Sequence, residues 1–219
     1  MSRKKIYDYE SPDIVVRFEA KRCIHAEECV HGLPEVFDRQ GRPWIEPEKG
    51  SAGEIAEVVL RCPTGALRFE RLDGGPAERT PVSNSGRVVA NGPVYLEGDL
   101  ELQMPDGSVL KETRVALCRC GASKNKPFCD NSHIESGFED PGAVTDRRRS
   151  DSGEEGEQAH LEIRVNANGS LACSGPLEIK SADGTGSDFG VKGSLCRCGA
   201  SQKKPFCDGS HRTIGFSAD

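Results

Sequence analysis

One stretch of the chain occurs twice, as Cys118-Arg-Cys-Gly-Ala-Ser-Lys-Asn-Lys-Pro-Phe-Cys-Asp-Asn-Ser-His133 and as Cys196-Arg-Cys-Gly-Ala-Ser-Gln-Lys-Lys-Pro-Phe-Cys-Asp-Gly-Ser-His211. When each copy is extended to the Gly-Phe pair that follows it, the two 21-residue blocks share 15 identities without a gap. In each copy the spacing is Cys-x-Cys-x8-Cys, and a His stands four residues after the last Cys. Such a repeat predicts two copies of one structural unit.

The ten cysteines of the chain are better explained by metal binding than by disulfides. The first residues, Met1 to Asp8, are basic but lack the apolar segment of a signal peptide, which predicts a cytoplasmic protein. Disulfides are rare in that reducing compartment, and a disulfide framework has no reason to keep a His at one fixed spacing. We therefore expect a metal site in both copies.

The composition of the 219-residue chain limits the classes of protein to which it can belong. Aromatic residues make up only 5%, and there are 25 Gly and 13 Pro, which favours small lobes over one large core. The formal net charge of −6 disfavours nucleic-acid binding, because a nucleic-acid binder presents a basic face. No window approaches the ~18 consecutive apolar residues of a membrane span, so no membrane partner is expected.

Changes in composition divide the chain into four predicted segments. An N-terminal lobe covers residues 1–72, and a Gly- and Pro-rich stretch at 72–81 separates it from the duplicated region. We call residues 82–139 the first module and residues 159–219 the second module. Residues 140–158 are charged and almost free of bulky apolar side chains, which predicts a solvated linker.

Local patterns predict that the duplicated region is mainly β, with one short helix per copy. Leu161–Val165 alternates as a half-buried strand does, and Asn168-Gly169 offers a hairpin turn before the next strand. Each Cys-x-Cys follows a short apolar run, so these two cysteines are expected at a strand end. Asp130 and Asp208, which follow the third Cys of each copy, are expected to cap the short helix that carries the His.

Three thiolates and one imidazole per copy suit iron or zinc. Two cysteines one residue apart do not easily surround a single small ion, but they can bind one iron of a two-iron cluster while the third Cys and the His bind the other. A neutral His in place of a thiolate raises the reduction potential, as in Rieske centres. The alternative is a Cys3His zinc site, although structural zinc favours cysteine pairs with two to four residues between them.

The repeated motif resembles the signature of the CDGSH iron–sulfur domain family, Cys-x-Cys-x2-Ser-x3-Pro-x-Cys-Asp-Gly-Ser-His. The second copy matches it throughout, and the first departs at Asn131, where the family has Gly. Asn tolerates a positive φ, so the turn is expected to survive. The resemblance implies one [2Fe-2S] cluster per module. The implied ligands are Cys118, Cys120, Cys129 and His133 in the first module, and Cys196, Cys198, Cys207 and His211 in the second.

The same resemblance implies the architecture of the duplicated region. Family members build a β-sandwich from two such modules, usually from two subunits. Because both modules lie in one chain here, the resemblance implies a monomer with internal pseudo-twofold symmetry. Pro127 and Pro205 are expected to fix the loop over each cluster.

A second cysteine pattern lies in the N-terminal lobe, where Cys23 and Cys29 are followed by a distant Cys62. Bacterial ferredoxins hold a four-iron cluster with Cys-x2-Cys-x2-Cys and a distant Cys-Pro, but here Ala26 occupies the middle position. Ser51 opens a capping box before an apolar run, which predicts a helix that ends near Cys62.

Residues 14–70 resemble the divergent single-cluster ferredoxin family, which includes three-iron relatives without the second Cys. The resemblance implies an α+β lobe with a [3Fe-4S] or [4Fe-4S] cluster held by Cys23, Cys29 and Cys62. A four-iron cluster needs a fourth ligand, and His25 lies next to the vacant position. The alternative for His25 is a side chain that is exposed to solvent or that contacts the ligands without binding the metal.

The remaining cysteine and two of the histidines lack a ligand pattern of their own. Cys173 lies in an apolar stretch and is expected to be a buried packing thiol. His31 and His160 are expected to be structural or exposed.

No sequence feature indicates an enzyme, because the chain lacks a phosphate-binding Gly loop, a nucleophile elbow and a dinucleotide fingerprint. Three clusters in a small acidic protein suggest one-electron transfer with redox partner proteins, docked through a basic patch on the partner. The alternatives are storage or transfer of clusters, and sensing of redox state or pH.

Overall fold

The computed structural model describes residues 5–144, 147–148 and 159–218. Two units make up the chain, Met1–Arg79 and Thr80–Asp219, and the boundary between them falls in the Gly- and Pro-rich stretch 72–81. Within the residues that the structure describes, no helix is long and apolar enough to cross a membrane.

The first unit is an α+β lobe with a three-stranded antiparallel sheet in the order β1-β2-β3. The strands are β1 (Ile6–Glu10), β2 (Ile14–Glu19) and β3 (Leu67–Arg71), the helices are α1 (Glu28–Gly32) and α2 (Ala52–Leu60), and short 3-10 helices cover Ala20–Arg22 and Pro47–Lys49. Ile14 and Val16 of β2 pack with Ile55 and Val59 of α2 in one buried cluster. This cluster is the core of the lobe, and the predicted α+β class is confirmed.

Helix α2 begins and ends where the sequence predicts. Ser51 Oγ accepts a hydrogen bond from the backbone N–H of Glu54, and the Glu54 carboxylate accepts one from the backbone N–H of Ser51, which completes the capping box. The helix ends at Leu60, and the N–H of Cys62 donates to the Val59 carbonyl just beyond it. The C-terminal end of α2 therefore positions Cys62, one of the predicted cluster ligands.

The second unit is mainly β and is built on a seven-stranded sheet. Its strands are β4 (Ser85–Val88), β5 (Val94–Gln103), β6 (Val109–Leu117), β7 (Arg147–Arg148), β8 (His160–Val165), β9 (Leu171–Lys180) and β10 (Ser187–Leu195). β5 pairs antiparallel with β6, and β9 pairs antiparallel with β10. The first module has a four-residue helix, α3 (Ser132–Glu135), and the second has a 3-10 helix, Ser210–Arg212, at the corresponding place. These elements confirm a mainly β region with one short helix per copy.

Two short strands join the modules into one sheet. β4 pairs antiparallel with β5 and parallel with β9, while β8 pairs antiparallel with β9 and parallel with β5. Each module therefore supplies a strand to the hairpin of the other, and the sheet closes on itself like a barrel through these four strands. Leu100 of the first module and Leu161 and Leu171 of the second belong to one continuous buried core.

The segment predicted as a linker begins in packed structure. Asp140 and Val144 are each 8% exposed, and Gly142 between them is buried as well. The prediction of a solvated linker is therefore wrong for these three residues, because Asp140 forms a buried ion pair and Val144 packs in the core of the second unit. Arg147–Arg148 form β7 beside β10, and residues 145–146 and 149–158 of the predicted linker lie outside the described residues.

Candidate metal centres

The four predicted ligands of the first module come together at the end of β6. Cys118 directly follows that strand, and its Sγ lies 3.6 Å from the Sγ of Cys120. Cys129 and His133 lie on the loop and helix that follow, with 3.5 Å between Cys129 Sγ and His133 Nδ1. The module therefore presents one thiol–thiol pair and one thiol–imidazole pair.

The second module repeats this arrangement at the end of β10. Cys196 Sγ and Cys198 Sγ are 3.7 Å apart, and Cys207 Sγ lies 3.4 Å from His211 Nδ1. The two separations in one module differ from those in the other by only 0.1 Å. Two different segments of the chain thus build the same ligand geometry.

These separations are those of ligands that share a tetrahedral metal ion. With bonds of ~2.3 Å to sulfur and ~2.0 Å to nitrogen, as at tetrahedral zinc, two thiolates lie ~3.8 Å apart and a thiolate and an imidazole lie ~3.5 Å apart. Each module therefore carries two pairs of predicted ligands, and the separation within each pair is that expected for two ligands of one ion. Among the described residues, no group of three or more His, Cys, Asp or Glu side chains is gathered around a position for one ion.

Hydrogen bonds from other residues of the motif hold the loop in place. Ser123 Oγ donates to the Phe128 carbonyl at 2.7 Å, and the N–H of Cys118 donates to the Pro127 carbonyl at 2.8 Å. The second module repeats both bonds, from Ser201 to Phe206 and from Cys196 to Pro205. The Ser and Pro of the motif therefore have a structural role in presenting the ligands.

The aspartate after the third Cys of each motif bridges two loop segments and is not the helix N-cap. The N-cap of α3 is Asn131 at φ +70°, and its counterpart is Gly209 at φ +91°. Asp130 accepts hydrogen bonds from the N–H groups of Ser132 and Lys124. The expected capping role is therefore wrong, whereas the prediction that Asn131 keeps the glycine-like turn is confirmed.

The sulfur atoms of the first module lie in a buried environment with backbone donors. Burial raises the pKa of Cys129 to about 11. The hydrogen bond between the thiols of Cys118 and Cys120 raises the pKa of Cys118 and lowers the pKa of Cys120. The N–H of Ala122 donates to Cys120 Sγ at 3.4 Å, and the N–H of Asn131 donates to Cys129 Sγ at 3.5 Å. Such donors stabilise thiolate ligands and help to set the potential of an iron–sulfur centre.

A buried arginine stands between the two cysteines of each Cys-x-Cys, and the sequence patterns did not predict a role for it. Arg119 is 1% exposed and donates to the carbonyls of Gly92 and Val89. It pairs with Asp140 at 2.6 Å, and its guanidinium lies 5.4 Å from the centre of the Phe138 ring. An Arg at this position in both repeated blocks is the sequence signal that could have indicated a structural role for it.

Arg197 makes the corresponding contacts in the second module. It is 2% exposed, donates to the carbonyls of Gly169 and Asn166, and lies 5.5 Å from the centre of the Phe216 ring. Burial lowers the pKa of Arg197.

The two predicted sites are neighbours. Gly121 at φ +81° and Gly199 at φ +83° each follow the second Cys of a pair. A β carbon on Gly121 would lie 2.6 Å from the Cys198 carbonyl oxygen, and one on Gly199 would lie 2.6 Å from that of Cys120. Only glycine permits this approach at a positive φ, so the backbones of the two ligand segments touch.

The three cysteines of the first unit line one cavity. Cys23 follows the first 3-10 helix, Cys29 lies in α1, and Cys62 follows α2. The cavity has a volume of about 380 Å³, and its wall includes Phe18 and Trp44. Burial raises the pKa of Cys29 to about 11, and the negative charge of Cys62 adds to that effect.

His25 lines the same cavity, but its side chain is exposed and its φ is +56°. This position favours the interpretation of His25 as a solvent-facing residue. Thr64 was not predicted as part of the site, and its Oγ1 lies 3.5 Å from Cys62 Sγ.

The two histidines without a ligand pattern are exposed or half-exposed, and the cysteine without one is buried, as expected. The side chain of His31 is 75% exposed, and half of the His160 side chain is exposed beside Asp99. Cys173 is 8% exposed and packs in the core of the second unit. The prediction of Cys173 as a packing thiol is confirmed.

Two family models match the chain. The model for a divergent 4Fe-4S mono-cluster matches residues 9–71, and the model for an iron-binding zinc finger of CDGSH type matches residues 91–134 and again residues 168–212. The chain is built from one divergent 4Fe-4S mono-cluster domain and two CDGSH-type domains, as the motifs predict.

Two relatives of the chain come from Escherichia coli. The uncharacterized protein YjdI of strain K12 and that of O157:H7 are each 33% identical over 61 residues, which is 28% of this chain and 80% of the relative. No solved structure matches the chain.

Proposed function

We propose that the protein is a one-electron carrier with three iron–sulfur clusters, and that it is not an enzyme. The proposal rests on the two pairs of predicted ligands in each module. In the first module the two sulfur atoms of one pair are 3.6 Å apart, and the sulfur and nitrogen atoms of the other pair are 3.5 Å apart. Two separate pairs suit two bridged iron ions, whereas a Cys3His zinc site needs all four ligands around one ion. Each [2Fe-2S] cluster, when bound, accepts and releases one electron.

The proposed ligand sets follow the pairs in the structure. In the first module Cys118 and Cys120 bind one iron, and Cys129 and His133, through Nδ1, bind the other. The second module uses Cys196 and Cys198, and Cys207 and His211, in the same way. The backbone donors to the sulfurs and the buried strand ends hold these groups in place before the metal arrives.

We propose that the third cluster lies in the cavity of the first unit, with Cys23, Cys29 and Cys62 as ligands. The cavity of about 380 Å³ is large enough for a three-iron or four-iron cluster, and apolar side chains such as Trp44 limit the access of water. The match to a divergent 4Fe-4S domain over residues 9–71 supports this assignment.

The duplicated region is proposed to be a monomeric sandwich with internal pseudo-twofold symmetry. Each module gives the other one parallel strand, β4 to β9 and β8 to β5. The reciprocal approach of Gly121 and Gly199 to the opposite ligand segment supports the same relationship. One chain would therefore provide what two identical subunits provide elsewhere.

The proposed partners are redox proteins with a basic docking surface, met in the cytoplasm. The net charge of −6 supports docking to a positive patch and argues against nucleic acid as a partner. All ten cysteines are free thiols, which fits a reducing compartment. A membrane is not among the proposed partners.

Storage or delivery of clusters is the second candidate function, and the position of the histidines favours it. His133 and His211 are half-buried, and they lie on helical segments of only four and three residues. Ile134 beside His133 is 70% exposed, which leaves room for an acceptor protein next to this ligand.

Iron and acid-labile sulfide analysis of anaerobically purified protein, with electron paramagnetic resonance, tests the proposal. We expect about seven iron atoms per chain for a three-iron N-terminal cluster, or about eight for a four-iron one. Zinc without acid-labile sulfide would overturn the proposal. Incubation with an apo-ferredoxin separates the two candidate functions, because a carrier keeps its clusters and a delivery protein loses them to the acceptor.

A further inference from the structure

A buried threonine contacts one of the proposed cluster ligands of the first unit. Thr64 lies two residues after Cys62, and its Oγ1 is 3.5 Å from the Cys62 Sγ. Thr64 is 3% exposed and lines the same cavity as the three cysteines. Because the hydroxyl is shielded from solvent, little water competes with it for the sulfur, and a hydrogen bond there is stronger than one at the surface.

The direction of this hydrogen bond follows from the other partner of the hydroxyl. The backbone N–H of Ala66 donates to Thr64 Oγ1 at 3.1 Å, so the oxygen accepts there and keeps its own proton for a second partner. A cysteine that binds iron is a thiolate and has no proton to donate. With the cluster bound, the Thr64 hydroxyl is therefore the donor and the Cys62 sulfur is the acceptor.

Contacts with the end of β2 and with the 3-10 helix beyond it hold Thr64 in place. Nη2 of Arg22 donates to the Thr64 carbonyl at 2.8 Å, and Arg22 is itself only 3% exposed. The backbone N–H of Glu19 donates to the Ala66 carbonyl at 2.8 Å. The turn after Cys62 is therefore tied to a second segment of the chain, which keeps the hydroxyl beside the sulfur.

We propose that the Thr64 hydroxyl donates a hydrogen bond to the Cys62 sulfur and thereby makes the N-terminal cluster easier to reduce. This inference rests on the proposed function, since it requires a cluster held by Cys23, Cys29 and Cys62. Reduction adds one negative charge whether the cluster has three or four iron ions. A hydrogen bond to a ligand sulfur strengthens as that charge is added, and hydrogen bonds to the sulfurs are among the factors that set the potential.

The proposed role of Thr64 involves no transfer of its proton. A reduced one-electron donor protein loses one electron and the cluster gains it, while no covalent bond forms or breaks. The Thr64 hydroxyl keeps its proton in both states, and only the strength of its hydrogen bond changes. Thr64 therefore shifts the potential and adds no pH dependence to it.

Potentiometric titration of the holoprotein, followed by electron paramagnetic resonance, tests the inference. We expect Thr64→Val to lower the equilibrium constant for reduction of the N-terminal cluster by about tenfold, which is ~59 mV for one electron. Thr64→Ser retains the hydroxyl and should stay close to the wild type. Cys62→Ala should lack this cluster, so its spectrum gives the signals of the two modules alone and identifies the N-terminal signal by difference.

The potential separates this role from a merely structural one. Valine at position 64 also leaves the N–H of Ala66 without its acceptor, which costs stability whether or not the hydroxyl acts on the cluster. A lower unfolding midpoint with an unchanged potential in Thr64→Val would therefore overturn the inference. A potential that falls as far in Thr64→Ser as in Thr64→Val would also overturn it, because serine still carries the hydroxyl.

Thr64→Ala provides a second test in case Thr64→Val does not bind the cluster. It also lacks the hydroxyl, and its smaller side chain leaves more room in the cavity, so the same fall in potential is expected. If neither variant bound the cluster, Thr64 would be needed for assembly, and the inference of a role in setting the potential would be wrong. The clusters of the two modules are the internal control, and their potentials should be the same in every variant.

The outcomes also separate this inference from the proposed function. About four iron atoms per wild-type chain, with no signal that disappears in Cys62→Ala, would refute the third cluster and the inference with it. A wild-type N-terminal cluster whose potential is unchanged in Thr64→Val and Thr64→Ala would refute the role of Thr64 alone and leave the proposed carrier intact.

Discussion

Gly121 lies so close to Cys198 of the other module that a β carbon on it would come within 2.6 Å of the Cys198 carbonyl oxygen. The reciprocal approach of Gly199 to Cys120 has the same distance. The ligand segments of the two proposed [2Fe-2S] sites are thus packed directly on each other.

Gly121→Ala is expected to destabilise the second unit by about 2–4 kcal/mol, because it combines an unfavourable positive φ with a clash against a backbone oxygen. Gly107→Ala is the matched control, since Gly107 has φ +83° and nothing within 4 Å of the added β carbon. The control should lose only about 1–2 kcal/mol. Urea unfolding followed by far-ultraviolet circular dichroism measures both, and equal losses would show that the close approach does not matter.

Cys120→Ala is expected to remove about two iron atoms per chain, because a [2Fe-2S] cluster with three ligands is not retained. Cys173→Ala should keep the full iron and sulfide content, since Cys173 is a packing thiol of the core and not a predicted ligand. Iron and sulfide analysis of both variants checks the assignment. Loss of iron from Cys173→Ala, with retention in Cys120→Ala, would contradict it.

His25→Ala is expected to keep the N-terminal cluster, because the His25 side chain is exposed. Cys62→Ala should lose this cluster, since Cys62 lines the cavity with the other two cysteines. The paramagnetic signal of the N-terminal cluster, measured with the iron content, reports on each variant. Loss of one iron or of the signal in His25→Ala would instead identify His25 as a fourth ligand.

Ser51→Ala is expected to cost about 1 kcal/mol of the stability of the first unit, because the N-cap of α2 is lost. Ser51→Asp retains a capping oxygen and should stay close to the wild type. Trp44 fluorescence follows unfolding of this unit, since Trp44 is the only tryptophan and its ring lies 4.8 Å from that of Phe18. Equal unfolding midpoints for all three proteins would argue against the cap.

The features that could be predicted from the sequence depend on neighbours within a few residues. Ser51 and Glu54 define the start of α2 by their spacing, and Asn168, at φ +50°, makes the turn between β8 and β9. The pairs of predicted ligands could also be recognised from the sequence, because a Cys-x-Cys after a strand and a His one helical turn after a Cys are local patterns.

The features that the sequence did not reveal depend on residues far apart in the chain. The parallel pairing of β5 with β8 brings Asp99 beside His160, which is 61 residues away. Asp140 stood in a charged segment, and only its contact with Arg119 shows that it is buried. Charged residues are exposed on average, but a charged residue that pairs with a buried partner can itself be buried.

The union of both modules in one polypeptide changes what a single mutation can do. In an assembly of two identical subunits every substitution appears at both symmetry-related places. Here the strands exchanged through β4 and β8 keep a dimer-like frame, yet Asp140 and Ala218 differ at equivalent positions. A single substitution can therefore change the surroundings of one proposed cluster site and leave those of the other site unchanged.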